Sequence, residues 1–125
     1  MVTLQTEKHS DSEIFKELNP LLGAWFKWKF KEFTEPQRYA ILNIHRKENT
    51  LVSAPTGTGK TLSAFSAVLS ELLNLDDTGK LGDMVYCVYI SPLKALNNDI
   101  HRNLMEPLED IQKAAKKIKK EIGIR

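Results

Sequence analysis

The sequence predicts an α/β fold, a parallel sheet with flanking helices, and three observations carry that prediction. Residues 54–61, Ala-Pro-Thr-Gly-Thr-Gly-Lys-Thr, close a short apolar stretch, Leu51-Val52-Ser53, and open an amphipathic one from Leu62 to Leu73. A glycine-rich turn between a strand and a helix is the context that a phosphate-binding loop requires. Met84 to Ile90 is an uncharged, β-branched and aromatic run, as expected of a strand buried on both faces. Strand, helix, strand and helix then alternate, which calls for parallel strands joined by right-handed crossovers.

The elements follow in order. Residues 1–13 are polar and read as a flexible N-terminus, with Ser10-Asp11-Ser12-Glu13 offering N-caps to a helix from about Ile14. Asn19-Pro20 interrupts that pattern, and Leu21, Leu22, Trp25, Phe26 and Phe30 resume it on one face, most simply as core. In Thr34-Glu35-Pro36-Gln37 the threonine can cap, Pro36 suits the first turn and Gln37 completes a capping box. Ala40, Ile41 and Ile44 continue that helix. After the loop, Leu62, Phe65, Leu69, Leu72 and Leu73 form an apolar stripe, and Asp76 to Lys80 makes a polar connector. Ser91-Pro92 starts another helix with Leu93, Leu96, Ile100 and Leu104 on one side. Pro107 starts a further one, with Leu108, Ile111, Ala115 and Ile118, and Gly123 marks its stop.

Composition limits the classes. At 125 residues and 42% hydrophobic, the chain builds one modest core, so residues 14–125 read as one domain or a piece of one. The net charge is only +2, but Lys113, Lys116, Lys117, Lys119, Lys120 and Arg125 crowd one end; by itself that stretch reads as a solvated helix face. The single cysteine, Cys87, forms no internal disulfide, which suits a reducing compartment and argues against a metal or redox role. No apolar run approaches the ~18 residues that span a bilayer, and the polar, acidic start is unlike a signal peptide, so a soluble, cytoplasmic protein is expected.

The loop spacing specifies its chemistry. Gly57 and Gly59 let backbone N–H groups turn inward on a phosphate, Lys60 adds a cation, and the Thr61 hydroxyl suits Mg²⁺. The helix N-terminus that follows favours anions as well. Ala54 stands where the strict pattern begins with glycine. A nucleoside triphosphate is the expected ligand.

Three ordered runs now support a family resemblance: Phe33 to Ile41, Ser53 to Thr61, and Tyr89 to Ile100. Together they resemble the Q motif, motif I (Walker A) and motif Ia of superfamily 2 helicases, nearest to the large helicase-related, Lhr-like branch, from about Leu18 to Arg125. The resemblance implies the N-terminal portion of a RecA-like ATP-binding domain, preceded by N-terminal helices. It implies that Gln37 reads the adenine edge, that Thr56, Gly57, Thr58, Gly59, Lys60 and Thr61 hold ATP and Mg²⁺, and that Lys60 and Thr61 serve catalysis. Ser91, Pro92, Leu93 and Lys94 would grip the backbone of a single-stranded or duplex nucleic acid without reading sequence, with DNA favoured over RNA. Trp25, Trp28 and Phe30 are stacking candidates for adenine; Trp25 and Phe30 suit the core better, and Trp28, between Lys27 and Lys29, is the open case.

The family's Asp-Glu-x-His run is not found up to Arg125, and Asp76-Asp77 and Glu109-Asp110 sit in the wrong context. The sequence therefore reads as the front of a first lobe, whose remainder or a second copy is an expected partner. Alone, it should bind ATP and neither hydrolyse it nor unwind, because a missing arginine finger costs about 10³- to 10⁵-fold in related chemistry. A truncated sheet would also leave an open edge prone to association. The alternative is a non-catalytic nucleotide- or nucleic-acid-binding module; a small kinase would need neither Gln37 nor the Ser-Pro-Leu-Lys-Ala-Leu helix.

Overall fold

The computed structural model describes residues 1–90, 97–117 and 123–124. Its helices are α1 (Asp11–Glu17), α2 (Pro20–Phe30), α3 (Glu35–His45), α4 (Lys60–Asp77), α5 (Asn97–Ile100) and α6 (Glu106–Lys117), with a π-helical stretch, His101–Met105, joining the last two. α3 packs along α4, α2 rests on both α4 and α6, and α1 leans on α2 and α3.

Local chemistry places the helix starts close to where the sequence put them. Ser10 caps α1 by accepting from the Glu13 N–H at 3.2 Å, so the helix begins at Asp11, three residues before the expected Ile14. Asn19 caps α2 through Leu21, with Pro20 in the first turn, and Thr34 and Gln37 form the capping box of α3. Pro107 lies in the first turn of α6, as expected, but the helical path does not restart there. Proline clashes with the carbonyl four residues back, and the wider π-helical turn before it, where the Glu106 N–H bonds the His101 carbonyl, relieves that crowding.

The core gathers Ile14, Leu18, Leu22, Trp25, Phe26, Phe33, Ile41, Leu42, Leu62, Leu69, Leu73 and Ile111. Phe26 stacks on Phe33 with ring centres 4.3 Å apart, and Phe15 tilts against Phe33 at 4.7 Å. Phe30, expected inside, is 44% exposed and only edges onto Trp25 and Phe26. It is the last residue of α2, where the chain leaves the helix.

The described residues do not form the expected sheet. Among the described residues there is no strand: Leu51–Ser53 and Met84–Ile90 lack regular secondary structure. Instead of being buried on both faces, Val85, Val88 and Ile90 are exposed, although Tyr89 reaches the Phe65 ring at 5.2 Å. Strand propensity expresses a fit to neighbours, and two short segments separated by α4 supply neither partner strands at both edges nor a cover on each face. Beside them, a cavity of about 510 Å³ is lined by Phe65, Leu69 and Leu72 of α4, by Tyr86 and Tyr89, and by Leu104 and Leu108.

Candidate nucleotide site

The phosphate loop is held by its own polar atoms. Gly57 and Gly59 adopt φ values of 81° and 80°, a left-handed conformation that suits glycine. Thr58 Oγ1 donates to the Pro55 carbonyl at 2.6 Å, and Thr34 Oγ1 donates to the Thr58 carbonyl at 2.7 Å. Gly59 is the N-cap of α4 and offers no side chain to the first-turn N–H groups, which leaves their positive end directed to the loop. The Lys60 ammonium bends back across the loop and donates to the Ala54 carbonyl. Among the described residues no carboxylate pairs with it.

These features fit a bound triphosphate. The cation points into the loop rather than to an acid, Gly57 faces open space, and a half-buried Thr61 follows Lys60 in the first turn of α4. Thr56 is exposed at the tip of the same loop.

Gln37 is buried at 2% exposure, and both ends of its carboxamide are engaged. Oε1 accepts from the Thr34 N–H at 2.9 Å, completing the capping box, and Nε2 donates to the Gly59 carbonyl at 3.3 Å. The Q-motif residue and the phosphate loop thus meet directly. Thr34, read from sequence as a cap alone, is a second strut between α3 and the loop; nothing in its capping position announces that contact. The start of α3 is braced from behind by charge. Arg38 bonds Asp11 at 2.7 Å and Glu35 at 2.7 Å, while Lys8 bonds Glu35 at 3.0 Å. The Arg38 guanidinium holds the Asp11 carboxyl below the usual carboxylate range, and Lys8 followed by Arg38 does the same to Glu35. Arg38 is itself held more firmly protonated by the two acids.

The nucleic-acid candidates Ser91, Pro92, Leu93 and Lys94 lie outside the described residues, so the structure brings together only the nucleotide half of the expected site. No helix among the described residues is long and apolar enough to cross a membrane.

A glycine-rich loop opens a long helix, with a lysine at its mouth and a glutamine from the preceding helix on its last glycine, an arrangement able to take a phosphate group. The sequence profile of the DEAD/DEAH box helicases matches residues 34–123, and the chain belongs to that family, in its Lhr-like branch. It is 52% identical over 125 residues to an ATP-dependent helicase Lhr-Core of Methanothermobacter thermautotrophicus, covering 100% of this chain and 14% of that protein. Against the Lhr-Core helicase of Methanocaldococcus jannaschii the identity is 54% over 112 residues, 90% of this chain and 13% of the relative. Against the Lhr helicase/uracil glycosylase of Escherichia coli it is 40% over 99 residues, 74% of this chain and 6% of the relative. The chain thus spans a small part of the curated relatives it matches. No solved structure matches it. Membership in this family implies an α/β domain.

Proposed function

We propose that this chain is the ATP-binding portion of a helicase core, the front of its first RecA-like domain, with residues 14–125 forming that portion and residues 1–13 a flexible lead-in. Gly57, Thr58 and Gly59 cradle the phosphates with Thr56, Lys60 neutralises the β and γ groups, and Thr61 ligates Mg²⁺. Gln37 reads the adenine edge after exchanging its bond to Gly59 for one to the base. Ser91 to Lys94 grip a nucleic-acid strand, DNA in preference to RNA, and the protein works in the cytoplasm. Leu51–Ser53 and Met84–Ile90 become parallel strands when the rest of a core, or a second copy, supplies neighbours. By itself the chain binds ATP without turning it over, because among the described residues no cluster of acids able to hold a metal ion stands opposite Thr61.

The observation that carries this reading is the Lys60 ammonium, directed into the loop onto the Ala54 carbonyl and paired with no carboxylate among the described residues. Calorimetric titration with ATP and Mg²⁺ tests it. The unaltered chain should bind ATP and Lys60→Ala should lose most of that binding, with melting changed by no more than the ~1 kcal/mol of one hydrogen bond. Equal affinity in the two proteins would overturn the reading. Turnover stimulated by single-stranded DNA and abolished in Lys60→Ala would overturn the claim that the chain is inactive alone.

A further inference from the structure

We propose that the outer face of α2, formed by Lys27, Trp28 and Lys31 with Lys29 beside them, is a contact for single-stranded nucleic acid, distinct from Ser91 to Lys94. The helix has two tryptophans three residues apart with opposite fates. Trp25 is buried and its Nε1–H donates to Asp110 at 3.1 Å, whereas Trp28 is 71% exposed. Leu22, Trp25 and Phe26 supply the inward face of α2, so the core makes no use of Trp28. A large aromatic left in water needs a reason that packing does not give.

The charges around it have one sign. α2 contains no acidic residue, Lys27 and Lys29 occupy its last turn and Lys31 is its C-cap. Residues 24, 27, 28 and 31 repeat at helical spacing, and Ala24, Lys27, Trp28 and Lys31 are all exposed. Among the described residues none of the three lysines pairs with a carboxylate. Lys27 instead lies 6.0 Å above the Phe15 ring. Compensation of the helix dipole would account for lysines at this end, but not for Trp28 between them.

Lys31 adds a backbone observation. It adopts φ 70° and ψ −46°, and the Glu32 N–H bonds the Phe30 carbonyl at 2.9 Å, which closes a rare γ-turn. Glycine would hold that turn at lower cost. A lysine there keeps a third cation next to the indole. Phosphates on lysines and a base on the indole face are the two ingredients of sequence-independent single-strand binding.

Fluorescence tests this on the 125-residue chain without nucleotide, using labelled oligothymidine. Emission from exposed Trp28 should be red-shifted relative to buried Trp25, and binding should quench that component. Trp28→Ala should weaken binding about 5- to 100-fold, and Trp28→Phe should restore part of it. Lys31→Gly should raise the melting temperature yet reduce the slope of log affinity against log salt by ~0.7. No binding of oligothymidine by the unaltered chain, unquenched Trp28 in the complex, or a Trp28→Ala chain that binds equally well would overturn the proposal. Any of these would leave the ATP reading, tested at Lys60, untouched.

Discussion

The carboxamide nitrogen of Gln37 donates to the carbonyl of Gly59 at 3.3 Å, which makes α3 and the glycine-rich loop one mechanical unit. The contact is close enough that a Cβ on Gly59 would lie 2.4 Å from Nε2 and 3.2 Å from Cδ of Gln37. At Gly57, by contrast, a Cβ would meet nothing within 4 Å, though φ is equally positive. Gly57→Ala should therefore cost only the left-handed strain, about 1 kcal/mol, and Gly59→Ala about 2–3 kcal/mol because Gln37 must also move. Urea denaturation of the two variants checks the order. Equal losses would mean that Gln37 yields freely.

Replacing Gln37 itself separates its structural from its recognition role. Gln37→Ala leaves the part-buried Thr34 N–H and the Gly59 carbonyl without that partner, a loss of about 1–2 kcal/mol by thermal melting. If Gln37 also reads adenine, the variant should narrow the difference in affinity between ATP and GTP. A stability loss with the preference intact would confine Gln37 to capping.

The helices were legible because each start carries its own signal: Ser10, Asn19-Pro20 and the Thr34–Gln37 box act within one turn, and the apolar spacing of Leu62, Phe65 and Leu69 fixes the buried face of α4. The glycine-rich turn was legible for the same reason, since the positive φ values of Gly57 and Gly59 are needed locally. The strands were not, because whether Met84–Ile90 is buried depends on neighbours distant in sequence. The Thr34–Thr58 and Gln37–Gly59 bonds span 24 and 22 residues, and no local pattern specifies them. Phe30 and Trp28 carry similar apolar signals, yet both lie outside the core, because burial at a helix end depends on what packs over it.

Asn19 joins α2 to α4 and should be costly to lose. It is 1% exposed; its N–H donates to Ser70 Oγ at 2.8 Å, and its Nδ2 donates to Asn74 Oδ1 at 2.8 Å and Asp77 Oδ2 at 2.9 Å. Oδ1 caps Leu21 at 3.0 Å. Asn19→Ala removes the cap and two donors from a buried network, an expected loss of about 2–4 kcal/mol. Asn19→Asp should also destabilise, since it sets a carboxylate beside Asp77. The midpoint of urea denaturation reads both.

Acid should loosen the brace behind α3. Arg38, with a smaller contribution from the Phe33 N–H, holds the folded-state pKa of Asp11 below its unfolded value. The stabilisation is therefore fully present above the unfolded value, about 3.9, and is lost as pH falls through the folded one. Asp11→Asn should lower stability by about 1 kcal/mol at neutral pH and converge with the unaltered chain in acid. Melting curves taken from pH 7 downward check this. A constant offset across that range would show that Asp11 acts by shape rather than charge.

The two ends of α3 and α4 close in the same way with different residues. After α3, the Lys47 N–H bonds the Ile44 carbonyl and the Glu48 N–H bonds the Asn43 carbonyl, both at 2.9 Å; after α4, Gly79 and Lys80 repeat the pattern onto Asp76 and Leu75. Both are Schellman closures, which need one residue with positive φ. Gly79 meets that need at φ 68°, whereas Lys47 adopts φ 63° with a side chain in place. Lys47 also pairs with Glu71 at 3.2 Å, but the lysine is 77% exposed, so the pair is worth little. Relief of left-handed strain outweighs it, and Lys47→Gly should stabilise the chain by about 0.5–1 kcal/mol. A rise in melting temperature without loss of ATP binding is the expected result, and a fall would assign the Lys47–Glu71 pair more weight than its exposure implies.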